Sequence, residues 1–229
     1  MPVKAGMALP LMLPKLIYRQ LNPIVHLYAT RFSVHNASDY YSLLSEEEQL
    51  KAQKKAFPQL QDEAILSLGL RRAILAKHLS QSAKELVFSF AENQKPILVN
   101  GPYFNVSHSQ DYWVIAIADQ GPIGIDIEDK NRPVNFLEIA KRFFAPEEYA
   151  FLAAAAEPKE MFWRYWTAKE ALVKASGKGI VEGIDKIIID LNAPKSCSIK
   201  APQTLANRFN LMTPEVFLGT ALTVAISQV

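Results

Sequence analysis

Asp126 and Glu128 stand two residues apart in the stretch GPIGIDIEDK, and in an extended segment residues two apart share one face. Ile125 and Ile127 then point the opposite way. Two carboxylates side by side suit a hard cation such as magnesium, which prefers oxygen ligands, keeps some waters and takes others from a substrate's phosphates. A polar strand end exposed to solvent is the alternative reading. A second group lies in MFWRYWTAKEALVKASGKG, residues 161–179, where about 100° per residue puts Trp163, Thr167, Glu170 and Lys174 on one helical stripe. Glu170 and Lys174 could be an ordinary i, i+4 pair worth about 0.2 to 0.5 kcal/mol. Their place beside a large aromatic surface makes an isolated ion pair harder to justify. A third group, FNVSHS at 104–109, puts Ser107 and His108 at the start of an apolar strand, with Lys95 close by in QKP. A hydroxyl, an imidazole and an ammonium converging there would make an anion site, with donors matched to phosphate oxygens. Ser107 and His108 do not make a hydrolase, because adjacent strand residues face opposite sides and no G-x-S-x-G elbow is present.

These side chains need elements to hold them. After an irregular, proline-bearing start, IVHLYATRFSV (24–34) reads as a first strand and SEEEQLKAQKKAF (45–57) as a helix, with Ser45 and Glu48 as its capping box. Residues 62–80 predict a second helix that carries Arg71 and Arg72. Residues 84–99 predict two short strands around a polar turn, limited by Pro96. YWVIAIA is a buried strand by composition, broken at DQGP before IGIDIE begins. A helix follows over 136–144, another starts at Pro146 with Glu147 and Glu148 in its first turn, and 160–176 forms the strongest helix of the chain. The remainder is strand-rich. Helices alternating irregularly with hairpin-connected strands favour an α+β fold. YWVIAIAD and TALTVAIS echo one another, too briefly to define a repeat.

The composition bounds the rest. At 229 residues the chain can form one large domain or two small ones, and 49% apolar with 21% charged residues argues against disorder and against a membrane protein. No stretch reaches the roughly 18 to 20 apolar residues of a membrane span. A net charge of +2 points to no nucleic-acid partner, while leaving room for local basic clusters around a phosphorylated small molecule. The single cysteine, Cys197, excludes an internal disulfide and a cysteine-based zinc site, which fits a reducing compartment. The opening MPVKAGMALPLMLPKLIY has a lysine before an apolar run, but prolines interrupt it and no small-residue cleavage pattern follows. A cytoplasmic protein is expected.

Taken in order, KP, FNVSHS, GIDIE and FWRYWTAKEALVKASGKG resemble the 4'-phosphopantetheinyl transferases of the Sfp type, within the holo-carrier-protein synthase superfamily. That family's N-x-S-H-S, G-[IV]-D-[IV]-E and W-[ST]-x-K-E-[AS]-x-x-K segments match residues 105–109, 124–128 and 166–174, and LEIAKRFF is similar to the helix that follows the acidic strand. The resemblance covers residues 95–190 and implies a pseudo-dimer of two similar α+β halves with the active site in the cleft between them. An N-terminal extension would span 1–22, the first half 23–118 and the second half 119–229. It also implies a monomeric, magnesium-dependent enzyme that moves the phosphopantetheine arm of coenzyme A onto a serine hydroxyl of an apo acyl or peptidyl carrier protein and releases adenosine 3',5'-bisphosphate. By the resemblance Asp126, Glu128 and Glu170 ligate the metal, and Lys174 and Lys169 contact phosphate. Ser107, His108 and Lys95 hold the 3'-phosphate of coenzyme A. Asp126, Glu170 and Lys174 are the catalytic set, with Glu170 as base, directly or through a water at the cation. Lys51, Lys54 and Arg72 are candidates for further phosphate contacts. Phe143, Phe144 and the segment after Gly177 are candidates for an apolar patch facing an acidic carrier. A magnesium-dependent hydrolase of coenzyme A would use the same carboxylates without a carrier, and a silent coenzyme A or carrier-binding module would need no complete metal site. The carrier's pathway is not legible in these residues.

Overall fold

In the computed structural model, which describes residues 12–21, 24–177, 183–193 and 196–228, the chain runs β1 (Lys15–Leu21), β2 (Ile24–Arg31), α1 (Ala37–Tyr41), α2 (Glu46–Gln53), α3 (Pro58–Leu79), β3 (Phe88–Phe90) and β4 (Pro96–Leu98). It continues through β5 (Tyr103–Ser109), β6 (Tyr112–Ala118), β7 (Ile123–Asp129), α4 (Phe136–Phe143), α5 (Pro146–Ala153) and α6 (Pro158–Ser176). The last elements are β8 (Ile188–Ala193), β9 (Ser196–Ala201), α7 (Gln203–Ala206), β10 (Phe209–Met212) and β11 (Thr220–Ser227). The strands form a four-stranded sheet ordered β1-β2-β6-β5, a three-stranded sheet ordered β10-β11-β7, and the hairpins β3-β4 and β8-β9. All strand pairs among the described residues are antiparallel. The fold is α+β, with helices packed on antiparallel, largely hairpin-connected strands.

The chain divides into two compact units. Among the described residues, one holds 12–14 and Ser33–Glu85, and the other holds 15–32 and those from Leu86 onward. β1 falls within the stretch expected to be an extension and pairs with β2 from Lys15 opposite Ala29 to Leu21 opposite Ile24. Residues 1–11 and 22 of that stretch lie outside the described residues.

In the first unit Ser45 caps α2 as expected: its hydroxyl accepts from the Glu48 amide while the Glu48 carboxylate accepts from the Ser45 amide. The same carboxylate takes both Arg71 and Arg72 of α3. Buried guanidinium groups need a partner, so Glu48 closes its own helix and neutralises the next one. Proline at the first turn lets α3 begin at Pro58, four residues ahead of the expected start.

The second unit carries the core that matters for the site. Ile123, Ile125 and Ile127 of β7, with Leu222, Val224 and Ile226 of β11, pack on Val25, Leu27 and Ala29 of β2 and Val114, Ala116 and Ala118 of β6. β6 and β11, the two strands that echo in sequence, each lie between two neighbours in their sheet. The other face of β7 and β11 is covered by α6. Gly124 is what permits the approach, because a Cβ there would lie 2.0 Å from the Ala171 carbonyl oxygen and 2.5 Å from the Ala175 nitrogen. Beyond α6, Phe162, Trp163, Tyr165 and Leu172 join Ala140, Phe144, Leu152, Ile189 and Phe209 in a second core. Proline in its first turn starts α6, and Gly177 at φ +72° ends it. No helix among the described residues is long and apolar enough to cross a membrane.

Candidate active site

The period of β7 sends Gly124, Asp126 and Glu128 toward α6 while its isoleucines enter the core. Asp126 is buried and Glu128 half-buried. From α6, Glu170 comes close enough for all three charges to act on one another. Burial raises the Asp126 carboxyl above its ordinary range, opposed by Lys174, Ser107 and Arg132. Glu128 is raised by burial and by Asp126, against the hydrogen bond from Ser109. Burial also raises Glu170, and the charges of Asp126 and Glu128 add to it while Lys174 opposes. Three partly dehydrated carboxylates that repel one another favour a cation among them.

Lys174, one turn after Glu170, supplies a fixed positive charge. Its ammonium lies 2.6 Å from Asp126 Oδ1 and also donates to Ser107 Oγ and the Ile125 carbonyl, each at 3.2 Å. Arg132 reaches Glu128 Oε1 at 3.2 Å and lies over the Trp163 ring. Asp126 Oδ2 is buried with no hydrogen-bond partner. An anionic oxygen left bare costs free energy unless something ligates it, so the residues fit a divalent cation. Among the described residues no three His, Cys, Asp or Glu side chains already close into a metal cage.

Residues 122–217 match the family model of the 4'-phosphopantetheinyl transferase superfamily, and residues 32–120 match that of the 4'-phosphopantetheinyl transferase N-terminal region. The 4'-phosphopantetheinyl transferase Sfp of Bacillus subtilis is 34% identical over 169 residues, 72% of this chain and 74% of that one. The chain belongs to the 4'-phosphopantetheinyl transferase family. HetI, a 4'-phosphopantetheinyl transferase of Nostoc sp., is 35% identical over 170 residues, 71% of each chain. A Synechocystis sp. relative is 36% identical over 162 residues, 68% of this chain and 66% of that one.

The remaining expected site residues of the transferase are placed differently from one another. Ser107 is buried on the β7 side of β5, where its hydroxyl lies 3.0 Å from Asp126 Oδ1. His108 points the other way and is exposed, its ring 5.7 Å from that of Phe32. Strand alternation separates the two. Lys95 comes to the Ser107 side, but its ammonium donates to the carbonyls of Ile123 at 2.9 Å and Lys174 at 2.6 Å. It therefore ties the last turn of α6 to the start of β7. Burial first, and then the charge of Lys174, pull that ammonium down to about 8. Ser107, His108 and Lys95 thus do not converge on one anion.

Lys169 corrects the sequence reading outright. One residue back from Glu170 on the helix, it turns about 100° away into the second core, where its side chain is fully buried. Its ammonium pairs with Glu148 at 2.7 Å and donates to the carbonyls of Ile184, at 3.1 Å, and Ile187. No exposed surface remains on it for a phosphate. Arg72, offered for coenzyme A phosphates, is likewise buried on Glu48, whereas Lys51 and Lys54 are exposed. Phe144 is core, stacked on Phe162, and Phe143 is half-buried edge-on to Trp166. Residues 178–182, expected near the carrier, lie outside the described residues. Sequence reasoning left Asn105, Ser109 and Arg132 without a role; for Asn105 and Ser109 the signal was the shared two-residue spacing of N-x-S-x-S and G-x-D-x-E.

Proposed function

We propose that this transferase moves the 4'-phosphopantetheine arm of coenzyme A to a serine hydroxyl of an apo acyl or peptidyl carrier protein, with magnesium, releasing adenosine 3',5'-bisphosphate. Family membership supports the reaction class. The observation that carries the reading is the buried Asp126 carboxylate, one oxygen 2.6 Å from Lys174 and the other unsatisfied, with Glu128 two residues on and Glu170 within electrostatic reach. Magnesium held by these three carboxylates would supply positive charge for the pyrophosphate oxygens as the transition state develops.

The chain's own groups do the rest. Lys174, already the fixed cation of the site, stabilises the leaving oxygen of the pyrophosphate. Glu170, whose raised pKa brings it nearer neutrality, accepts the proton of the carrier serine. The serine oxygen bonds to the phosphorus that bears the pantetheine arm, the bridging P–O bond breaks, and its electron pair leaves with adenosine 3',5'-bisphosphate. Lys95 serves from behind, by holding the end of the helix that presents Glu170 and Lys174. His108, on the exposed face of β5, remains the candidate for the 3'-phosphate. A cytoplasmic monomer is part of the same proposal.

The test is to incubate the protein with coenzyme A, magnesium chloride and an apo carrier protein and to weigh the carrier. A mass gain of one phosphopantetheine arm is expected, absent when the carrier serine is alanine. Hydrolysed coenzyme A with an unmodified carrier would make the protein a hydrolase, and no change in either would leave a binding module. Glu170→Gln that keeps near-normal transfer would end the assignment of the base.

A further inference from the structure

β5 and β7 are edge strands of different sheets that face each other without forming a ladder. The outward amides of β7 are satisfied by side chains instead. Ile125 N donates to Asn105 Oδ1 at 2.9 Å, Ile127 N to Ser107 Oγ at 3.3 Å and Asp129 N to Ser109 Oγ at 3.1 Å. Alternate β5 residues thus close alternate β7 amides, which buried and unpaired would be costly. A serine hydroxyl, unlike an amide oxygen, still has a proton to give. Ser107 gives its proton to Asp126 Oδ1 at 3.0 Å, and Ser109 gives its proton to Glu128 Oε2 at 2.6 Å. Each hydroxyl therefore links one β7 amide to the carboxylate of the residue before it. At the third position, where Asn105 has only an acceptor to offer the amide, the preceding residue is Gly124, which has no side chain to receive a proton.

We propose that Ser109 is a positioning residue for Glu128, with Ser107 doing the same for Asp126, so that N-x-S-x-S is a template that orients the carboxylates. The inference rests on the cation reading above and adds residues that act behind it. Glu128 is held on one oxygen by Ser109 and on the other by Arg132, so its carboxylate plane is fixed before any cation arrives. Hydrogen-bond partners of metal ligands commonly change metal affinity by about 10- to 100-fold when removed.

Ser109→Thr and Ser109→Val test it, because the two replacements are nearly equal in volume and differ in the hydroxyl. Cation affinity is read on the free protein from the rise in melting temperature with magnesium chloride and from Mn2+ paramagnetic resonance. The KM for coenzyme A is measured separately at saturating magnesium. The threonine variant is expected to bind the cation like the parent. The valine variant should bind roughly tenfold or more weakly, with an unchanged coenzyme A KM and its rate restored by excess magnesium. Parental cation affinity in the valine variant overturns the proposal, as do equal losses in both variants or a raised coenzyme A KM alone. If valine prevents folding, Ser109→Ala takes its place with the same expectations. A parent protein that shows no response to either cation overturns the metal reading itself and the positioning role with it.

Discussion

Replacing Lys169 with Met should lower the melting temperature sharply and leave coenzyme A affinity untouched. The side chains of Lys169 and Glu148 are 0% and 2% exposed, 2.7 Å apart. Glu148 also accepts from the amides of Ala145 at 2.9 Å and Ile189 at 2.8 Å, and so joins α5 to β8. Removing one partner of such a pair strands the other charge in the core, at a cost of roughly 3 to 5 kcal/mol. A chain of this size loses about 2 to 4 °C per kcal/mol, so the midpoint should fall by roughly 6 to 20 °C. Adding Glu148→Gln removes the stranded charge, at the expense of one of the two backbone amides that Glu148 accepts from, and should recover only part of the loss. The assay is thermal unfolding by circular dichroism for the parent and the two variants, with coenzyme A KM measured well below each midpoint. A Lys169→Met protein with the parental midpoint and a raised coenzyme A KM would instead place Lys169 at the phosphates.

The carboxylates predict a pH effect: folded pKa values above the ordinary range mean that the folded state holds these protons more tightly than the unfolded one. Their contribution is full at pH values below the unfolded pKa and lost as pH rises through the raised values. The stabilisation by magnesium chloride should grow across the same window, and melts that show a pH-independent rise would contradict this. Gly124→Ala drives a methyl into the α6 backbone, which should cost more than the roughly 1 to 3 kcal/mol of ordinary overpacking. Gly177→Ala, whose new Cβ meets nothing within 4 Å, should cost only about 1 to 2 kcal/mol for its left-handed backbone; urea titration of both measures the contrast. Ser45→Ala removes the cap of α2 and should cost about 1 kcal/mol, read as a shift of the urea midpoint.

Much of this was open to a reader of the sequence, for physical reasons. The isoleucines of β7 and the aromatic residues of α6 repeat with the periods of strand and helix, and Ser45 with Glu48 is a complete local signal. β1 and β10 were harder to see: β1 follows a proline-bearing start, and the four residues of β10 are too few for alternation to register. Within the site, Asp126 and Lys174 lie 2.6 Å apart although 48 residues separate them in the chain, a pairing implied by the resemblance and not by spacing. The roles of Lys95 and Lys169 depend on which carbonyls and carboxylates lie opposite, a tertiary property that residue type does not encode. Lys169 stands beside Glu170 in the chain, but one residue of helical rotation moves it from the site into the core.

The most direct measurement is the mass of an apo carrier protein after incubation with coenzyme A, followed as magnesium is titrated, for the parent protein and for Asp126→Asn. A gain of one phosphopantetheine arm that requires magnesium is expected in the parent, abolished or strongly slowed in the variant. Equal gain in both proteins, or a gain that persists in chelator, would contradict the magnesium reading.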